Sequence, residues 1–352
     1  MVAWFVSRVE KPLRVAICGS GNRSRSVWQR HLVELDGFEL VGVQDVHSPS
    51  LEKAVELGAV VAEQTFDELE EMLEQTAPDA VIVCPVHSAH AEAATLALER
   101  GCHVLVEKPF ATNVDDARRV TELAEQRGLV LGVVQNWRTK SAGRALRDAV
   151  QGGVIGQVSH IFFRYLRDRE LSHLPEYLFA EEDPMLYALT VHHVDLFRYV
   201  LGQEIVAVEG RDFHPPWSRY EHPSLLQLWL ETDGGVAISY TGTISSRSNH
   251  IYPWENVIVE GELGSIVNAT DTFDPPLELS RRGEDTIDLT ADAEVRDPAG
   301  QYVLADIALL HNFAAAIAEG EPLVSPAREN LGTLAAIDAI RTCLSDRRRV
   351  EL

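Results

Sequence analysis

Lysine is almost missing from this chain of 352 residues. Lys11, Lys53, Lys108 and Lys140 are the only four, and arginine carries nearly all the basic charge. Even so, 31 basic side chains face 54 acidic ones, a formal net charge of −23. A surface so poor in positive charge excludes the broad phosphate-neutralising face that nucleic acid requires, and any anionic ligand must be held locally. Cysteine is also scarce. Cys18, Cys84, Cys102 and Cys343 are scattered without a CxxC pair, which argues against a disulfide framework or a thiolate zinc site and fits a reducing cytoplasm. No uncharged apolar run approaches the roughly 18 residues of a membrane helix, so no membrane association is expected. The opening MVAWFVSRVEKP is too short an apolar patch for a secretory signal and has no small-residue cleavage site; residues 1–10 read as a lead-in.

What is present is an ordinary apolar content of 45% on a chain longer than one core usually serves, so two domains are expected. LRVAICG, FELVGVQD, DAVIVCP, CHVLVEK and LVLGVVQ are near-continuous apolar strands. Amphipathic segments that begin in Ser, Asn or Asp and end in Gly lie between them. This alternation predicts a parallel, doubly wound sheet over residues 11–135. From 136 to 352 the character changes. After a helix over 139–151, VSHIFFRYL, EIVAVEGRDF, SLLQLWLETDGGVAISYTG, ENVIVEGELGSIVNAT and PLELSRRGEDTIDLT read as antiparallel strands, with DGG and GELG as turns. Two helices over 302–319 and 326–346 close the chain.

VAICGSGNRSRSVW follows the first strand and opens a helix. Gly19 permits a tight turn, Gly21 lets backbone approach a pyrophosphate, and Ser24 takes the third, small position. Gly19, Ser20, Gly21, Asn22 and Arg23 are thus candidate cofactor-binding residues in the context that a dinucleotide motif demands. Asp45, at the end of the second strand, suits a ribose 2′-hydroxyl and repels a 2′-phosphate, which favours NAD. Arg23 could instead hold a phosphate, so NADP stays open. GCHVLVEKPFATN places Glu107, Lys108 and Pro109 at a strand's carboxyl end, where ligands bind in such sheets. A half-buried lysine, unlike an arginine, can surrender a proton beside a positive nicotinamide.

These residues, with HAEAATLALERGCHVLVEKP, HHVDLFRYVLG and FAAAIAEGEPLVSPARENLGTLAAIDA, resemble the Gfo/Idh/MocA family, named after glucose-fructose oxidoreductase and inositol dehydrogenase. The resemblance implies an N-terminal Rossmann domain and a C-terminal domain with a large open, mostly antiparallel sheet. It further implies homodimers or homotetramers through that sheet, and a Lys108–Pro109 bond that is often cis. Its members are NAD(P)-dependent dehydrogenases and reductases that act on the CH–OH groups of a sugar, inositol or related polyol.

In ALTVHHVDLFRYVLG, His192 and Asp195 share a helix face and His193 is turned about 100° away. The family's His-x-x-Asp selects His192 as base or substrate-orienting group and Asp195 as a substrate ligand, with Lys108 as partner of His192 in a proton relay. The family's earlier Asp and Gly are here Ala188 and Thr190, so either Lys108 and His192 suffice, or Tyr187 contributes, or the protein binds without turnover. That leaves a cofactor- and sugar-binding sensor as an alternative, beside an NAD-assisted glycosidase or epimerase. His192 and Asp195 offer two metal ligands without a third, and no metal is expected.

Pro85 and His90 resemble the family's nicotinamide-side loop, with a spacing one residue longer than usual. The resemblance further implies that Gln135 contacts the cofactor, and Asn136 and Arg138 the substrate, where the first domain gives way to the second. Arg164 and Tyr165 are both candidates to reach substrate, although strand alternation sends one of them to the opposite face. In the loop over 213–223, Trp217 and Tyr220 suit either stacking on a sugar ring or packing in an oligomer.

Overall fold

The computed structural model describes residues 11–170, 176–247, 255–268, 276–291 and 298–352. The lead-in and the tail of ENVIVEGELGSIVNAT lie outside the described residues. The chain forms two compact units: one runs to Asn136 and includes Val303–Leu331, the other comprises Trp137–Tyr302 and Gly332–Leu352.

In the first unit, β1 (Leu13–Cys18), β2 (Phe38–Gln44), β3 (Thr65–Phe66), β4 (Ala80–Val83), β5 (His103–Val106) and β6 (Leu131–Val133) form a parallel sheet in the order β3-β2-β1-β4-β5-β6. The five β-branched runs read from the sequence are β1, β2, β4, β5 and the edge strand β6, and β4 is buried along its whole length. The two-residue β3 has no periodic signature. The strand order reverses between β1 and β4, and the crevice beyond that switch point is where such sheets receive ligands.

The sequence alone draws a linear boundary at residue 135, whereas in the fold residues 303–331 belong with the first unit. Their apolar side chains supply the reason. Leu309, Leu310 and Phe313 are buried in one cluster with Val15, Ile17, Trp28, Leu105 and Val134. The extended piece before the last helix also covers the sheet edge, where the Val133 amide donates to the Ser325 carbonyl at 3.0 Å.

In the second unit, β7 (Val158–Leu166), β8 (Ile205–Phe213), β9 (Leu225–Thr232), β10 (Ala237–Thr243), β11 (Glu255–Gly261), β12 (Ser265–Asn268), β13 (Leu277–Ser280), β14 (Ile287–Asp288) and β15 (Val350–Glu351) make a nine-stranded sheet. Its order is β14-β13-β12-β11-β7-β10-β9-β8-β15, and every pairing is antiparallel except that of β7 with β10. Burial alternates along β9, as a sheet with one covered face requires. Phe163, Leu228 and Tyr240 on that face join Leu146, Val194 and Phe197 from the helices Ser141–Gln151 and Val191–Leu201 in one core. The opposite face carries Phe162 and Trp229, which are 46% and 58% exposed.

Among the described residues no helix is long and apolar enough to cross a membrane. Phe313→Ala should destabilise the first unit by about 3–5 kcal/mol, read from urea unfolding. A loss below about 1 kcal/mol would show that the returning segment contributes little to that core.

Candidate active site

On the first unit the site is built at the ends of β1, β4 and β5. Gly19 has φ +92°, and a Cβ there would lie 2.5 Å from the backbone of Cys84 and Pro85, so only glycine fits where the chain leaves β1. Gly21 has nothing within 4 Å of its missing Cβ and is exposed, which leaves its backbone open to a ligand. The helix that follows is π-helical over Ser24–Gln29 before it becomes α-helical over Arg30–Glu34. Buried Gln29 donates to the hydroxyls of Ser20 and Ser24 and so braces the loop from behind.

Asp45 accepts the amides of Ser20 at 2.7 Å and His47 at 2.9 Å. A carboxylate offers about four acceptor positions, so two hydrogen bonds hold it in place and leave capacity for a ribose diol. Arg23 is occupied differently. Its Nε donates to Glu107 at 2.7 Å, and its two Nη atoms donate to Asp306 at 3.0 and 2.8 Å. A phosphate would have to compete with two buried carboxylates for that guanidinium. The open backbone at Gly21 and the braced Asp45 fit a dinucleotide of the NAD type, held by main-chain amides rather than by Arg23.

Glu107 also accepts from Trp28 Nε1 at 2.9 Å. Burial works against its charge, but Arg23 prevails and the carboxyl stays below its ordinary range. The next peptide, Lys108–Pro109, is cis, and Lys108 is half-buried. His90 clamps this turn: its Nδ1 lies 2.7 Å from the Pro109 carbonyl oxygen and its Nε2 lies 3.3 Å from that of Pro85. Burial lowers its pKa, so the ring is neutral and the shorter contact is the donated one. His87, on a turn that the sequence reading left unassigned, stands with its ring 5.8 Å from that of His90. Burial, then the Lys108 charge, push it down to about 4. Gln135 and Asn136 are buried, and Asn136 donates to Asp306 at 2.9 Å.

On the second unit, His192 and His193 separate as the helical angle demands. His193 is fully buried among Trp137, Phe163, Tyr165 and Tyr240, with its Nδ1 2.9 Å from the Tyr240 hydroxyl. Thr190, standing where the resemblance places Gly, completes this network at 2.9 Å from the same hydroxyl. His192 is 8% exposed, and its ring lies parallel to the Trp137 indole, 5.7 Å between centroids.

Asp195 and Arg138 meet each other in a bidentate pair at 2.7 and 2.9 Å, and Thr333 donates to Asp195 at 2.9 Å. Both are almost wholly buried, an arrangement that braces the helix of His192. Tyr165 faces inward and Arg164 lies on the exposed face. The turn before His192 is π-helical over Leu186–Thr190, and the Val191 amide reaches back five residues to Leu186. In that register Tyr187, rather than Ala188, falls one turn before His192. Tyr187 is half-buried, with the Arg341 guanidinium 5.8 Å from its ring.

In the loop over 213–223, Tyr220 is buried against Phe179 at 5.0 Å, and Trp217 donates Nε1 to the Ser245 carbonyl at 2.9 Å while staying 55% exposed. Among the described residues no group of three His, Cys, Asp or Glu side chains could hold a metal ion. Trp137, His87, Asp306 and Lys140 escaped sequence reasoning. The scarcity of lysine was the one signal that marked any of them.

Gly19→Ala should abolish NADH binding in calorimetry, because the added methyl overlaps backbone; binding within twofold of the parent would refute this reading of the loop. His87, His90 and His193 all have lowered pKa values, burial being the largest cause. Unfolded, they take up protons near 6.5, which the folded chain resists. Stability is therefore complete above that pH and falls as acid is added. His193→Gln should make the slope of unfolding free energy against pH, from about 6.5 down to about 5, shallower by up to one proton, ~1.4 kcal/mol per pH unit. An unchanged slope in urea titrations would exclude His193 as a contributor.

Residues 13–135 match the profile described as "Oxidoreductase family, NAD-binding Rossmann fold", and residues 144–267 match "GFO/IDH/MocA C-terminal domain". The chain is 28% identical over 258 residues to inositol 2-dehydrogenase 3 of Saccharopolyspora erythraea, covering 72% of each. It is also 28% identical over 356 residues to D-apiose dehydrogenase of Paraburkholderia graminis, covering 97% of this chain and 90% of that one. A crystal structure of an oxidoreductase from Agrobacterium radiobacter, in complex with NAD+, L-tartaric acid and magnesium, shares the fold at a TM-score of 0.86 and 17% identity, covering 97% of this chain and 98% of that one. With both of its units matched and an NAD-binding Rossmann domain at its front, the chain belongs to the GFO/IDH/MocA family of oxidoreductases.

Proposed function

We propose that the protein is an NAD-dependent dehydrogenase or reductase that moves a hydride between nicotinamide and a hydroxyl or keto carbon of a sugar, inositol or related polyol. The observation that carries this reading is the half-buried Lys108 in a turn held by Glu107 on one side and by the His90 clamp on the other. The cofactor supplies the hydride acceptor. The chain's part is to take up the proton that the substrate hydroxyl loses as its carbon is oxidised. His192 is the proposed base that receives this proton, with Lys108 as its partner: the ammonium is proposed to hydrogen-bond to the substrate oxygen while keeping its own proton on nitrogen. The names of the inositol and apiose relatives support the polyol class.

Asn136, Arg138 and Asp195 have carboxylate, guanidinium or hydroxyl partners of their own, so their proposed part is to brace the site. Tyr187 is the proposed additional substrate contact, since the π-turn brings it to the level that Ala188 holds in a regular helix. Residues 11–135 are proposed to hold the cofactor and 136–352, apart from the returning segment, to hold substrate. The exposed Phe162 and Trp229 support pairing of chains through the open sheet into a homodimer or homotetramer. The four cysteines, all free and buried, suit a reducing cytoplasm.

A polyol and keto-sugar screen should show NADH formation or consumption at 340 nm with at least one compound. Lys108→Ala and His192→Ala should each lower kcat at least 100-fold while NADH still binds. Full turnover in either variant would remove that residue from the mechanism. Stable ternary binding without any redox change would favour the sensor reading, for which Ala188 and Thr190 are the motivating residues. Sugar cleavage or inversion without net NADH would favour a glycosidase or epimerase.

A further inference from the structure

Arg164, a candidate for substrate in the sequence, stands exposed on the uncovered face of the nine-stranded sheet. The strand register shows what surrounds it there. A central row runs from Trp229 through Ser239, Phe162 and Ile258 to Val267 and is apolar apart from one hydroxyl, with Glu209 and Glu278 toward its rims. Two residues to one side, about 7 Å along the strands, the next row reads Arg211, Gln227, Thr241, Arg164 and Asn256. It holds two cations and no acid. Two residues to the other side the row reads Glu231, Ala237, His160 and Glu260. The His160 ring packs on Phe162, 4.1 Å between centroids, and burial lowers its pKa, so this row is acidic. Arg349 answers Glu231 there through two nitrogens at 2.7 Å, and the charge nearest the middle of the face is that of Glu260.

We propose that this face pairs with a second copy of the chain about a two-fold axis lying along the central row, so that Arg164 meets Glu260 of the partner subunit, twice across the axis. The charge pattern selects both the occupant and the axis. Rotation about the row reverses the strand direction and lays each basic row over the acidic row of the other copy, while the apolar row faces its own equivalent. A two-fold axis parallel to the strands would instead set basic on basic and acidic on acidic, which is costly. Stacked sheets lie about 10 Å apart, a gap that an arginine and a glutamate span from opposite sides. Glu209 and Glu278 meet their own equivalents only toward the rim, where solvent screens them. An apolar centre with polar margins is the anatomy of a protein interface. The inference rests on the pairing through the open sheet proposed above, and adds the register and the contact that enforces it.

Sedimentation equilibrium on the full chain tests both parts. Wild type should associate, and Arg164→Glu and Glu260→Arg should each raise the dissociation constant about tenfold or more, because each sets like charges against one another at both contacts. Mixed in equal amounts, the two variants should pair with each other near the wild-type affinity, since every contact then joins opposite charges, and the double variant R164E/E260R should do so with itself. Circular dichroism melting checks the fold of each variant. Arg164→Gln and Glu260→Gln, which remove the charge without reversing it, should weaken pairing less and carry the test if a reversal fails to fold. A wild type that stays monomeric overturns the pairing itself. If wild type pairs but the reversals leave its constant unchanged, or mixing restores nothing, the pairing stands and the register is overturned. If wild type mixed with Arg164→Glu pairs more tightly than either does alone, like rows meet and the axis is overturned.

Discussion

The guanidinium of Arg23, shared between Glu107 and Asp306, is the contact on which the first unit's chemistry depends. It joins the helix behind the glycine loop, the end of β5 and the segment that returns after residue 302. Both carboxylates are buried, and a buried carboxylate that loses its cation is a heavy cost to the fold. Glu107 is further held by the Trp28 indole, and the following Lys108–Pro109 peptide is clamped by His90. The lysine therefore projects from a frame that cannot relax easily. Because Arg23 is spent on Glu107 and Asp306, and the Arg25 guanidinium donates to the Ser20 carbonyl, the glycine loop offers a pyrophosphate mainly oriented amides. An acidic protein holds an anionic cofactor in this way without a basic surface.

The second unit handles charge by a different economy. Arg138 and Asp195 cancel each other, and Thr333 ties that pair to the last helix. His193 is neutral, bonded to a tyrosine, and walled by aromatic rings. Lys140 lies on an indole that also faces His192. Two adjacent histidines thus acquire different surroundings from one turn of geometry: about 100° of rotation sends one ring among the core aromatics and leaves the other, also buried, beside the Trp137 indole. The π-helical turn before them shifts the preceding residues by one position, so a tyrosine takes the level that a regular helix would give to alanine.

Much of this was legible beforehand because its signals are local. Near-continuous β-branched runs read as covered strands, a glycine pair between strand and helix as a tight turn open to a ligand, and Glu-Lys-Pro after β5 as a strand end facing the crevice. The helical angle separating His192 from His193 needed no tertiary information either. The FHPPWSRYEHP loop was ambiguous for the opposite reason. Whether an aromatic ring stacks on a ligand or packs inward depends on what lies beneath it, and it is Phe179 that lies beneath Tyr220.

From the sequence alone came the strand and helix alternation, the glycine loop after β1, the lysine at the end of β5 and the helix of His192, all of them set by periodicities and turn chemistry within a few residues. Tertiary structure alone decided that Arg23 answers to Asp306, that Arg138 spends itself on Asp195, that residues 303–331 complete the first core, and that the Trp137 ring lies parallel to His192. Those outcomes pair side chains from distant parts of the chain, and a contact between distant residues leaves no spacing to read until the backbone has brought them together.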